Sequence, residues 1–373
     1  MGIKRIAIVV GTRPEAIKMS PVYLAMKTDP GIDVKFIVTA QHRELLDQVL
    51  SVFKIRPDAD LDLMRFDQSL ADISAKVIIG VRKILAEIKP DVVLVQGDTT
   101  TCLFSALAAF YENIPVGHVE AGLRTYNFQA PWPEEMNRRL TDPISRWCFA
   151  PTTRAAENLR AEGIPGKNIF VTGNTAVDAL LLAREMIYSH KPVIPGLPEN
   201  LFDGRRLILV TGHRRESFGR QIEEICMALG EIVRLHPDTV LVYPVHLNPN
   251  VQEPVRRILE REERIYLIEP VEYLPFVYLM DKSYMLITDS GGIQEEAPTL
   301  QKPTLVTRDT TERPEAVESG SAKLVGTLRK SIVHEASVLL NDKQAYEKMS
   351  KVNNPFGDGH AARKIIEILS STI

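Results

Sequence analysis

The chain lacks most of what would mark a secreted, membrane-bound or nucleic-acid-binding protein. Its three cysteines, Cys102, Cys148 and Cys226, are odd in number and scattered, so they form neither a disulfide framework nor a metal-ligand spacing, and no metal is expected. No apolar run approaches the roughly 20 residues that a membrane span requires. The first run, residues 6–10, is also too short for the core of a signal peptide. A cytoplasmic protein with no membrane partner is the expectation. Met1-Gly2 begins like a myristoylation signal, but Ile6 stands where that signal wants Ser or Thr. Net charge is only −3, with 45% hydrophobic and 25% charged residues, which leaves no basic field for nucleic acid. Any anion bound here must meet positive charge supplied locally. Neither a Walker loop nor a Gly-x-Gly-x-x-Gly dinucleotide loop occurs, which argues against ATP hydrolysis and hydride transfer.

What is present is a two-fold pattern. At 373 residues the chain exceeds the size of a single core, so two domains of about 170 to 190 residues are expected. Short apolar runs without alternation recur at 6–10, 34–38, 92–95 and 116–119, then at 207–211, 240–243, 265–268, 285–288 and 304–306. Such runs are strands buried on both faces, hence parallel sheets covered by helices. Between them, residues 73–88, 101–111 and 222–235 space their apolar positions by three and four, as helices do. The fold class is therefore α/β, with two Rossmann-like domains facing across a cleft. A stretch rich in Pro and Gly, 188–206, puts the boundary between a domain at 1–187 and one at 188–357. A last helical segment, within 358–373, follows the turn at Gly357 to Gly359 and is expected to return to the first domain.

In parallel sheets ligands lie beyond the carboxyl ends of the strands, so polar residues just after each apolar run take priority. Ser290-Gly291-Gly292 ends one such run and opens a helix. Free N–H groups there suit a diphosphate, and Glu296, one turn on, suits ribose hydroxyls. An ordinary Gly-rich turn has the same pattern. After the first run come Arg13 and Lys18, which read as anion binders or as a solvated helix end. Asp98 and Glu120 follow successive strands, and paired carboxylates have proton affinities that burial and repulsion drive apart, which equips them for acid/base work. Asp98 also suits a helix cap, since Thr99 and a helix follow. Behind a stiff Pro131-Trp132-Pro133 segment stand Glu134 and Glu135; a capping role fits Glu135 better than Glu134. In the second half, His213 and His246 follow strands as phosphate partners or proton donors, and Arg313 would reach the Gly-Gly turn. Carboxylates from one domain and a diphosphate seat with cations from the other suit a nucleotide-sugar enzyme, with the sugar presented to Asp98, Glu120 and Glu134.

At these residues the chain closely resembles the non-hydrolysing UDP-N-acetylglucosamine 2-epimerases of bacteria, which have the two-domain fold of the GT-B glycosyltransferases. The motifs are GTRPEAIK (11–18), TAQHRELLDQVL (39–50), GDTTT (97–101), GHVEAGLRT (117–125), PWPEEMNR (131–138), TGHRRESFG (211–219), YPVHLNPNV (243–251), DSGGIQEEAP (289–298) and RDTTERPEA (308–316). The resemblance implies reversible inversion at C2 of UDP-GlcNAc to UDP-ManNAc, through loss of UDP to 2-acetamidoglucal and its re-addition, in the supply of cell-envelope polysaccharide. It implies no redox cofactor or metal, and a homodimer. Carried over residue by residue, it makes Asp98, Glu120, Glu134 and His213 catalytic. Arg13, Lys18, Phe276, Ser290, Gly291, Gly292, Glu296 and Arg313 become substrate-binding. Some members need UDP-GlcNAc at a second, effector site, whose matching positions are Gln41, Arg43, Glu134, Arg214 and His246. Three positions depart from the pattern: Val271, where relatives carry Gln, and Glu44 and Asp67, where some carry Gln and Arg. A GT-B glycosyltransferase, or a 2-epimerase of a related UDP-sugar such as a diacetamido uronic acid, are the alternative functions.

Overall fold

The computed structural model describes residues 3–39, 43–63, 68–198, 200–212, 214 and 218–373. They divide into two compact units, one running to Leu182 and resuming at Phe356–Ile373, the other Ala183–Pro355. The division falls inside the helix Thr175–Ser189, ahead of the stretch at 188–206 where the sequence places it. Among the described residues no helix is long and apolar enough to cross a membrane.

In the first unit the described strands are β1 (Lys4–Val10), β2 (Ile32–Val38), β3 (Ala59–Asp60), β4 (Val92–Gln96), β5 (Val116–Val119), β6 (Trp147–Ala150) and β7 (Ile169–Val171), in the order β3-β2-β1-β4-β5-β6-β7. In the second they are β8 (Arg206–Thr211), β9 (Thr239–Pro244), β10 (Ile265–Ile268), β11 (Ser283–Thr288), β12 (Thr304–Val306) and β13 (Ala322–Leu324), in the order β10-β9-β8-β11-β12-β13. All observed pairings are parallel. The reason is visible in burial: Ile6 through Val10 are wholly buried one after another. A strand with no solvent face must carry helices on both sides of its sheet. Each Ile or Val side chain in such a run contributes about 1.5–3 kcal/mol on burial.

The nine apolar runs of the sequence are all strands. β3, β6, β7 and β13, of two to four residues, were not anticipated. Helices begin earlier than their apolar periodicity because polar caps extend them. Ser69 exchanges hydrogen bonds with Asp72 ahead of the helix Leu70–Ile88. The C-terminal helix Ala361–Thr372 packs on the helix Arg13–Lys27 of the first unit. It is capped by Asp178, which accepts from Ala362 N at 2.9 Å, and tied by Trp147 Nε1 donating to Thr372 Oγ1 at 2.8 Å.

In both sheets the chain reverses its direction of growth beside the first strand, between β1 and β4 and between β8 and β11. At such switch points the flanking turns splay apart and leave a crevice for a ligand.

Candidate functional site

In the first unit the turns after β1 and β4 are fastened together. Glu15 sits in the first turn of the helix Arg13–Lys27, wholly buried. Its Oε2 accepts from Gly11 N at 3.1 Å, Thr12 N at 2.8 Å and Thr12 Oγ1 at 2.7 Å; its Oε1 accepts from Thr99 Oγ1 at 2.7 Å. Burial pushes this carboxyl up to about 7 against the pull of those donors. Arg13 opens the helix, half-buried. Lys18, one turn on, forms an ion pair with Glu120 in which the two side chains are only 15% and 7% exposed. The cation expected to meet a ligand anion is thus engaged with a carboxylate. Glu120 itself lies in the left-handed region at φ 68°, a conformation that costs a non-Gly residue energy and tends to survive where a side chain must be aimed.

Asp98 follows Gly97, whose φ of 75° also lies in the left-handed region. Its Oδ2 accepts from Arg138 at 2.5 Å and its carbonyl from Asn137 Nδ2 at 2.8 Å. The cap of the helix Thr100–Tyr111 is Thr99, whose Oγ1 accepts from Cys102 N at 3.0 Å, so the capping alternative for Asp98 falls away. Glu134 and Glu135 open the helix Glu134–Ile144 and separate in role. Glu135 is buried and accepts from Thr125 N at 2.9 Å, Tyr126 N at 3.1 Å and Arg138 at 3.2 Å, which makes it a brace for the preceding loop. Glu134 Oε2 is buried with no hydrogen-bond partner among the described residues. A native carboxylate oxygen left this way points to a partner supplied by a ligand or to a proton it carries.

Sequence reasoning missed Arg138, which bridges Glu135 and Asp98, and missed the layer beneath. His118 is fully buried, with Nδ1 2.6 Å from Asp142 Oδ1 and Nε2 2.7 Å from the Gly97 carbonyl. Arg124 donates to Asp142 Oδ2 at 2.5 Å and to both Glu162 oxygens at 2.9 and 2.7 Å. Burial alone would raise the Asp142 carboxyl, but His118 and Arg124 hold it below the ordinary range. The only signal of this was His118 inside a buried strand, where a polar ring needs partners.

In the second unit, Ser290 precedes the helix Gly291–Glu296 without a side-chain cap bond. Its N–H donates to Thr288 Oγ1 at 2.9 Å. A Cβ built on Gly291 would come no nearer than 3.8 Å to Arg313 Cζ, and one on Gly292 no nearer than 3.9 Å to Ser290 Oγ. Packing within the chain does not demand these glycines. Arg313 lies beside the turn as expected, its Nε donating to Glu295 Oε1 at 2.5 Å and an Nη to the Glu312 carbonyl at 3.1 Å. Glu312 would be raised by its burial, but hydrogen bonds from Arg308 at 2.8 and 3.1 Å, with Arg214 at 3.2 Å, bring it down to about 2. Arg214 N also donates to Asp289 Oδ2 at 2.9 Å. Phe276, Glu296 and Val271 are half-buried. His246 is exposed, its Nδ1 accepting from Asn248 N at 3.1 Å. His213, Gln41 and Asp67 lie outside the described residues, as do the side chains of Arg43 and Glu44.

Two doubly wound parallel sheets, one with three carboxylates at or near its switch point and one with an uncapped Gly-Gly helix start beside an arginine, define a two-domain α/β nucleotide-sugar enzyme of the GT-B type. The particular family follows from comparison. The model of the UDP-N-acetylglucosamine 2-epimerase family matches residues 24–370, and the chain belongs to that family. It is 54% identical over 370 residues, 98% of each chain, to the UDP-N-acetylglucosamine 2-epimerase of Escherichia coli K12. Among solved structures it matches the Neisseria meningitidis UDP-GlcNAc 2-epimerase bound to UDP-GlcNAc, at a TM-score of 0.90 and 48% identity over 99% of this chain and 100% of that one. It also matches the Methanocaldococcus jannaschii enzyme in complex with UDP-GlcNAc and UDP, at a TM-score of 0.80 and 36% identity over 98% of this chain and 99% of that one.

Proposed function

We propose that this chain interconverts UDP-GlcNAc and UDP-ManNAc by inverting C2. The observation that carries the reading is the carboxylate set of the first unit: Asp98 on Arg138, Glu120 on Lys18, and Glu134 with a buried oxygen that no donor among the described residues satisfies. It is supported by end-to-end likeness to enzymes of that activity, one of them bound to UDP-GlcNAc.

C2 carries an acetamido group and adjoins no carbonyl, so its hydrogen is not acidic in the intact sugar. Breaking the C1–O bond first sends the electron pair to the β-phosphate oxygen and leaves an oxocarbenium-like C1. A carboxylate then takes the C2 proton, giving 2-acetamidoglucal and UDP. In the reverse sense UDP re-adds at C1 while a proton arrives at the other face of C2, so nothing is consumed. The proton work falls to Asp98, Glu120 and Glu134. Arg13, Arg313, His213 and the N–H groups of Ser290 to Gly292 take the charge of the leaving UDP, at roughly 3 kcal/mol for one well-placed donor. Lys18, Phe276 and Glu296 complete the substrate contacts. Gln41, Arg43, Arg214 and His246, with Glu134, are the positions for a UDP-GlcNAc effector. A homodimer, acting in the cytoplasm to supply cell-envelope polysaccharide, completes the reading.

Incubation with UDP-GlcNAc in deuterated water tests it. Deuterium at C2 of both sugars is the expected result. A product with hydrogen retained at C2, or transfer of the sugar to an acceptor, would replace the epimerase by a GT-B glycosyltransferase.

A further inference from the structure

His118 cannot touch a substrate, being wholly buried, yet it is bonded to the backbone next to Asp98. Its two ring nitrogens face acceptors on both sides, the Asp142 carboxylate at 2.6 Å and the Gly97 carbonyl at 2.7 Å. A neutral imidazole has one N–H and one lone pair, and a lone pair set against either oxygen would repel it. The ring is therefore placed to hold the Gly97 carbonyl from one nitrogen while Asp142 holds the other. His118, Arg124, Arg139, Asp142 and Glu162 form one connected cluster beneath the Asp98 turn. Pairing of this kind is what permits charge in the interior.

The Gly97 carbonyl is the object of this arrangement. With Gly97 at φ 75°, the orientation of the next peptide decides where the Asp98 side chain points. His118 holds the Gly97 carbonyl, Asn137 holds the Asp98 carbonyl at 2.8 Å, and Arg138 holds the carboxylate at 2.5 Å. Cys102 Sγ, 3.3 Å from the same Gly97 oxygen, is a weak donor and a poor substitute. We propose that His118, held by Asp142, is a positioning residue that clamps the Gly97 carbonyl and so aims Asp98 at the reacting centre. The proposal rests on the reading of Asp98 as a proton-transfer group.

The test uses the full chain with His118→Gln, Asp142→Asn, Asp98→Asn and the double variant of His118→Gln with Asp98→Asn. Asp142→Asn leaves the ring in place but removes the carboxylate that holds its Nδ1 side, and it serves if His118→Gln does not fold. Either variant is expected to lose kcat by about ten- to a hundredfold, the scale of loss when a reacting group is slightly misplaced. KM for UDP-GlcNAc and Kd for UDP should stay within about threefold, because uniform binding is untouched. The double variant should be no slower than Asp98→Asn alone, since the clamp has nothing left to aim. Losses that multiply in the double variant, or a parent-like kcat in both single variants while Asp98→Asn is inactive, would overturn the clamp. Parent-like turnover in Asp98→Asn would instead overturn the reading of Asp98, and the proposal with it.

Discussion

The two units repeat one strand order and use it differently. At the switch point of the first, the turns are stitched to each other: Glu15 joins the turn after β1 to the turn after β4 through four hydrogen bonds, and Gly11 is packed so tightly that a Cβ would lie 2.2 Å from Thr101 Oγ1 and 2.5 Å from Thr39 Oγ1. At the switch point of the second, a Cβ on Gly291 or Gly292 would meet only ordinary contacts, at 3.8 Å or more. Rigidity suits the proton-transfer role proposed for the carboxylates, because proton transfer depends on placement within fractions of an ångström. An uncapped helix start only has to offer N–H groups that a diphosphate can approach.

The sharpest way to break this comparison is to disable the carboxylates. Asp98→Asn, Glu120→Gln and Glu134→Gln should each lower turnover by about a hundred- to ten-thousandfold, with UDP affinity by calorimetry close to that of the parent. A residue whose amide variant turns over normally leaves the proton-transfer set. Equal loss of UDP affinity would mean that the division of labour between the units is wrong.

The stitching by Glu15 carries a pH signature. Its carboxyl is raised from 4.5 to about 7 in the folded chain by burial, so the native state holds this proton more tightly than the unfolded one. The resulting stabilisation is complete below about pH 4.5 and fades, by up to about 1.4 kcal/mol per pH unit, as pH rises toward 7. Glu15→Gln cannot titrate, so in urea melts the gap between parent and variant should narrow from pH 4.5 to 7. A gap that widens with pH would show that the four donors, not burial, govern this group.

A smaller effect separates the glycines. Gly11→Ala should destabilise the fold by about 1–3 kcal/mol through overpacking. Gly291→Ala and Gly292→Ala, in a helix with room for the methyl group, should leave stability unchanged or raise it by up to about 1 kcal/mol, while weakening UDP binding. Thermal melts with and without UDP separate the two cases. A Gly291→Ala variant that melts low and binds UDP normally would make that glycine structural.

Much of this was legible in the residues. Runs such as 6–10 and 92–95 have no polar face, and a strand with no polar face has few places to go except the interior of a parallel sheet. Asp98, Glu120 and Ser290 to Gly292 stand out as candidates because they follow such runs. Arg138 was invisible because its meaning lies in reaching Asp98 across 40 positions of sequence. The ion pair of Lys18 was equally invisible, because nothing in its neighbourhood announces Glu120, 102 positions on. Glu134 and Glu135 are adjacent and chemically alike, and only the direction in which the helix turns each side chain makes one a brace and leaves the other with an oxygen unsatisfied.

The α/β class, the repetition of the sheet and the candidate turns beyond its strands were already set by the order of the residues, because these follow from apolar periodicity and from local backbone geometry. Only the tertiary structure decided which charges neutralise one another, that Thr99 rather than Asp98 caps its helix, and that His118 lies beneath the Asp98 turn bonded to Gly97 and Asp142. Those outcomes depend on distances between segments far apart in the chain, and electrostatic and hydrogen-bonding energies are set by distance and burial rather than by order along the backbone.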